Sequence, residues 1–105
     1  MRKELSTILN LFAHKVREQY PKARVWAFGS HTRGTATAES DFDICVVLPD
    51  MVPNDRLVIS DLAWEIGFEN DVHLSTIVLS EKDFEHGPLS ASPLVGTIRN
   101  EGIPA

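Results

Sequence analysis

Phe28-Gly29-Ser30-His31-Thr32-Arg33-Gly34, followed after a short interval by Ser40-Asp41-Phe42-Asp43-Ile44-Cys45-Val46-Val47-Leu48, is the stretch that decides the fold. From about Asp41 to Leu48 the residues alternate: Asp41, Asp43, Cys45 and Val47 share one side of an extended strand, and Phe42, Ile44, Val46 and Leu48 share the other. That second side is apolar throughout, so it should pack on helices. Just upstream, Ala23 to Phe28 is rich in β-branched and aromatic residues and stops at Gly29-Ser30, which predicts a first strand ending in a tight, exposed turn.

Outward from this pair of strands, helical periodicity takes over. Leu5, Ile8, Leu9, Phe12 and Val16 recur at three- and four-residue spacing between Lys3 and Tyr20, predicting an amphipathic helix that Pro21 ends. Pro49-Asp50 closes the second strand. Asn54 or Asp55 can then cap a helix whose Val58, Ile59, Leu62, Ala63 and Ile66 form one apolar stripe, with Gly67 as its stop. A third strand is predicted from about Val72 to Leu79, then a polar segment from Ser80 to His86. After Pro88 and Pro93 comes a short last helix that includes Leu94, Val95 and Ile98. The order α-β-β-α-β-α defines an α/β (α+β) layered domain.

The 105 residues suit one hydrophobic core, so residues 1–105 are read as a single domain. Ten basic against fifteen acidic residues give a net charge of -5, which argues against a nucleic-acid partner tracked along its phosphates. Cys45 is the only cysteine and sits among Ile44, Val46 and Val47, so it reads as a buried hydrophobe. No apolar stretch approaches signal-peptide or membrane-spanning character, which makes the cytoplasm the expected compartment and excludes a membrane partner. His14, His31 and His86 lack the spacing of a metal site. Trp26 and Trp64 are core or partner-facing aromatics, and oligomerisation with itself or another chain is expected from the small size.

In a strand, residues two apart have Cα atoms roughly 6.6 Å apart on one face, so the carboxylates of Asp41 and Asp43 can converge on a cation. Alone they repel by about 2.5 kcal/mol at an effective dielectric near 20, and a divalent ion reverses that sign. Metal held this way can polarise a nucleotide's α-phosphate and stabilise a leaving pyrophosphate, provided the phosphates are held in line. Gly29-Ser30 is suited to holding them, because glycine permits close backbone approach and the Ser30 hydroxyl and following amides can donate hydrogen bonds. Arg33 adds a cationic fork. An isolated D-x-D or G-S is usually a plain turn; the ordered combination is far more specific.

Gly29-Ser30-His31-Thr32-Arg33-Gly34 with Ser40-Asp41-Phe42-Asp43 resembles the G-S-x10-D-x-D signature of the DNA polymerase β-like nucleotidyltransferase superfamily, and specifically its minimal nucleotidyltransferase (MNT) branch. The resemblance runs over nearly the whole chain. It implies a nucleotidyltransferase fold, a small mixed β-sheet flanked by helices. It also implies Mg-dependent transfer of a nucleoside monophosphate from ATP or another triphosphate, with two Mg ions during catalysis and Mn as a substitute. Carried residue by residue, Asp41 and Asp43 become the metal-binding and catalytic pair, and Gly29, Ser30, Arg33 and Ser40 the nucleotide-binding set. MNT proteins are often paired with a HEPN-domain protein, some acting as antitoxins that add AMP to a toxin tyrosine.

One position departs from the pattern. The superfamily places a third carboxylate on the later strand, in a context such as V-D-L, and here the stretch is Val72-His73-Leu74. Asp71, His73 and Ser75 share a face by period-two alternation, so three readings stay open: Asp71 substitutes as a metal ligand, His73 contacts metal, or His73 is the base that deprotonates the acceptor hydroxyl. The same departure keeps a noncatalytic alternative in view, a nucleotide-binding antitoxin or regulatory subunit that sequesters its partner.

Overall fold

The computed structural model describes residues 5–34 and 41–105, except for the Arg33 side chain. Among these, α1 (Leu5–Gln19) leads into β1 (Arg24–Phe28) and a single helical turn, α2 (Ser30–Arg33). Next come β2 (Phe42–Leu48), the long helix α3 (Pro53–Asn70) and β3 (Leu74–Ser80). The chain then runs through α4 (Glu81–Glu85), a 3-10 turn (Pro88–Ala91), α5 (Pro93–Glu101) and a two-residue strand, β4 (Ile103–Pro104). The predicted α-β-β-α-β-α order stands as the frame, with the short elements added to it.

The four strands form one mixed sheet in the order β3-β2-β1-β4. β1 runs antiparallel to β2 and to β4, whereas β2 and β3 are parallel, the long crossover between them being α3. Alternation sorts the strand residues as expected. Val25, Ala27, Phe42, Ile44, Val46, Leu48, Leu74 and Val78 join Ile8, Phe12 and Val16 of α1 and Ile59, Ala63 and Ile66 of α3 in the larger core.

A second, smaller core lies on the other face, that of Cys45 and Val47. Cys45, Val47 and Leu79 are buried there with Phe84 of α4 and Val95 and Ile98 of α5. Trp26 stacks on Phe84 with centroids 5.0 Å apart, and the Arg24 and Arg99 guanidinium groups lie over the Phe84 ring. The segment Ser80 to His86, expected to be only a polar stretch, is therefore a helix: Ser80 Oγ accepts from the Asp83 amide at 3.1 Å. These helices cover Cys45 and Val47, while Asp43, nearer the start of β2, is half-buried.

Two boundaries differ from the sequence reading for identifiable reasons. Gly67 does not stop α3, which runs on to Asn70; the Gly67 carbonyl instead accepts the Val72 amide at 3.0 Å as the chain folds back toward β3. A Cβ at Gly67 would lie 2.6 Å from the Val72 carbonyl oxygen, so the glycine marks a close backbone approach. Gly67→Ala is expected to cost about 1–3 kcal/mol, read from urea denaturation, and an unchanged midpoint would contradict the packing. The second boundary is Asp71. It is the left-handed C-cap of α3 (φ 55°, ψ 44°), and the strand begins only at Leu74.

Candidate active site

The register of the sheet assembles the site. Phe28 pairs with Asp43 across β1 and β2, and Asp43 pairs with Ser75 across β2 and β3. The Phe42 amide donates to the His73 carbonyl at 2.9 Å, which brings Asp41 beside His73 just before the paired strands begin. Gly29 and Ser30 follow Phe28 directly, so the turn after β1 lies on one side of Asp43 and the start of β3 on the other.

Gly29 adopts φ 84°, ψ -157°, a region open essentially to glycine alone. A Cβ there would overlap the Asp43 carboxylate, coming within 3.1 Å of its Cγ. From sequence, Gly29 was expected to let a phosphate approach; its contact with Asp43 shows that turn and carboxylate are fitted to each other. The turn is braced from within: the Thr32 hydroxyl and amide both donate to the Gly29 carbonyl, at 2.8 and 3.1 Å. Ser30, half-buried, starts α2, and Gly34 ends it in the left-handed region (φ 74°). Ser40 and the side chain of Arg33 lie outside the described residues.

His31 sits in α2 with its ring edge-on to Phe42, centroids 4.1 Å apart. That contact ties α2 to the first residue of β2, the strand that carries Asp43. Ser75 is the other residue the sequence did not single out for a role, half-buried next to Asp43 on the parallel strand. The available signal was its place in the His73-Ser75 alternation; the parallel register that sets it opposite Asp43 depends on the α3 crossover.

His73 is joined to Asp41, with Nδ1 3.0 Å from Oδ1 and the two side chains 74% and 47% exposed. The position where a third carboxylate was expected thus holds an imidazole in hydrogen-bond contact with the first aspartate. Asp71, expected to extend the same strand face, is carried off it by its helix-cap conformation. Among the described residues, no group of three or more His, Cys, Asp or Glu side chains is gathered to hold a metal ion. Two hard carboxylates beside a phosphate-accessible turn still suit Mg, which is commonly bound through one or two carboxylates together with substrate phosphates.

Cys45, two residues along the same strand face, is fully buried, and burial pushes its thiol up to about 12. It remains protonated at neutral and mildly alkaline pH and is no nucleophile. In folded protein at pH 8, an aromatic disulfide reagent should find no reactive thiol until denaturant is added; rapid labelling without denaturant would contradict that burial.

A glycine-only turn thus meets the Asp43 carboxylate, with Asp41 just before the same strand, on a mixed sheet with a helical crossover. Residues 9–100 match the family model described as a nucleotidyltransferase domain, and the chain belongs to that family. Among solved structures, it is similar to a mutant of the toxin–antitoxin MntA-HpeT, with a TM-score of 0.62 and 20% identity over 90% of this chain and 69% of that one. A toxin–antitoxin structure with AMP-PNP gives 0.59 and 21% identity over 90% and 69%. A tri-AMPylated Shewanella oneidensis HEPN toxin in complex with MNT antitoxin gives 0.57 and 18% over 94% and 69%. At these identities the similarity speaks for the fold. No curated protein sequence matches the chain. Among the described residues, no helix is long and apolar enough to cross a membrane.

Proposed function

We propose that this protein transfers AMP from ATP to a hydroxyl of a partner protein, a tyrosine of a HEPN-type toxin, and so acts as its antitoxin in the cytoplasm. The observation that carries the reading is the fitted contact between the glycine-only turn at Gly29 and the Asp43 carboxylate. It sets the turn that this reading gives to the phosphates against the carboxylate that it gives to the cation. The HEPN partner is supported by similarity to the solved toxin–antitoxin structures.

In this reading Gly29 lets the triphosphate approach the backbone, Ser30 and the following amides donate to its oxygens, and Arg33 and Ser40 complete the phosphate contacts. Asp41 and Asp43 hold Mg, which when bound polarises the α-phosphate and offsets charge on the leaving pyrophosphate. The acceptor oxygen bonds to the α-phosphorus, and the bond to pyrophosphate breaks with its electron pair on the leaving group. The hydroxyl proton passes to His73. Donation of Nδ1–H to Asp41 Oδ1 fixes the imidazole tautomer and leaves Nε2 as the proton acceptor. His73→Ala should therefore slow transfer by about a hundredfold, while His73→Asp should retain substantially more activity than the alanine variant. Equal rates for all three proteins in a single-turnover assay would remove His73 from the reaction.

The histidine at the position where a third carboxylate was expected motivates a second reading, in which the protein binds nucleotide and sequesters its partner without turnover. Intact-mass spectrometry of the partner separates them. A partner neutralised at unchanged mass would establish sequestration, and one that gains AMP would establish transfer.

A further inference from the structure

Beside the candidate active site, α3 carries an exposed aromatic surface. Trp64 and Phe68, one helical turn apart, are 69% and 75% exposed, and their rings stack with centroids 5.2 Å apart at 13°. The pair is held as a wall by its own contact, ready to receive another apolar group at little further ordering cost. With Ser60, Gly67, Val72 and His73 it lines a cavity of about 210 Å³. His73 belongs to this wall and also touches Asp41, so the cavity and the active site share a side chain.

Sheet order decides which reactant this recess can serve. The Gly29-Ser30 turn follows β1, on one side of Asp43, whereas His73 and the cavity lie at the start of β3, on the other. Displacement at the α-phosphorus is in line, with the attacking and leaving oxygens on opposite sides. A triphosphate held at Gly29-Ser30 therefore receives its acceptor from the β3 side. Charge points the same way. Asp61, Glu65 and Glu69 recur every four residues along α3, all exposed beside the aromatic pair, with Asp71 at the helix end. Lys15 approaches Glu65, at 4.0 Å. This acidic border repels phosphates and attracts a basic segment.

We infer that the cavity is the acceptor subsite: it takes a tyrosine-bearing segment of the acceptor protein, with the ring against Trp64 and Phe68 and flanking basic residues on the acidic row. The inference rests on the triphosphate placement proposed above, yet it concerns binding and is measurable without turnover. The probe is a peptide with one tyrosine between arginines, titrated calorimetrically into the full chain. The wild-type protein should bind it, and the double variant Trp64→Ala, Phe68→Ala should weaken binding at least about tenfold. The double variant should keep a cooperative melting transition and native circular dichroism, because both side chains are mostly exposed. A second peptide with glutamates in place of the arginines should bind at least about tenfold more weakly than the first.

Equal affinity in the double variant, or equal affinity of the acidic peptide, would overturn the assignment. So would sedimentation showing a wild-type dimer that the two substitutions dissociate, since a second copy would then cover the surface. Peptide binding retained by a chain that transfers no label would support the subsite while removing the proposed reaction, so the two claims fail separately.

Discussion

Asp43→Asn should lower label transfer from α-labelled ATP to the protein acceptor by about a thousandfold or more, while leaving the far-ultraviolet circular dichroism and the melting transition native. Asparagine keeps the shape of the side chain on β2 and loses only the charge. The loss is large because Asp43 stands where the two halves of the site meet, paired with Phe28 on one side and Ser75 on the other. Asp41→Ala should behave similarly for the cation, and it additionally releases His73 from its 3.0 Å contact. Undiminished transfer by either variant would remove the D-x-D pair from the chemistry.

Gly29→Ala should be nearly as damaging, for a different reason. The backbone at φ 84°, ψ -157° disfavours any residue with a Cβ, and the added methyl would occupy space held by the Asp43 carboxylate. Stability should fall by about 1–3 kcal/mol, read from denaturant unfolding, and transfer by about a hundredfold even at temperatures where the variant is fully folded. ATP affinity and transfer should fall together, because the turn and the carboxylate are displaced as one unit. A variant with wild-type transfer would show that this contact has no part in the reaction.

Much of this site was legible in the sequence because its parts obey local rules. Alternation placed Asp41 and Asp43 on the face opposite Phe42, Ile44, Val46 and Leu48, and the strand-ending glycine identified the turn. Fitting Gly29 against Asp43 was not legible, since it depends on the antiparallel register of β1 and β2. Asp71 was misplaced because alternation was extended backward through a residue that the helix end takes into the left-handed region, which aspartate tolerates better than most. Gly67 looked like a stop because glycine commonly is one, whereas here it makes room for the Val72 carbonyl.

The second core escaped for a related reason. α4 has five residues, too few to show a helical period, and Phe84 is buried among residues of distant elements, Cys45 and Val47 of β2 and Val95 and Ile98 of α5, with Trp26 stacked on its ring. Asp43 lies at the start of β2, half-buried, with the turn after β1 beside it. His73 was singled out from the sequence because it stands where the resemblance led us to expect a third carboxylate, and the structure sets its ring against Asp41, a contact that spacing alone did not predict.

The most direct test of the central claim is the intact mass of a HEPN-type partner after incubation with this protein, ATP and Mg. Transfer predicts a gain equal to AMP, located on a tyrosine and absent when Asp43→Asn replaces the wild-type chain. A partner of unchanged mass that is nonetheless neutralised would contradict it.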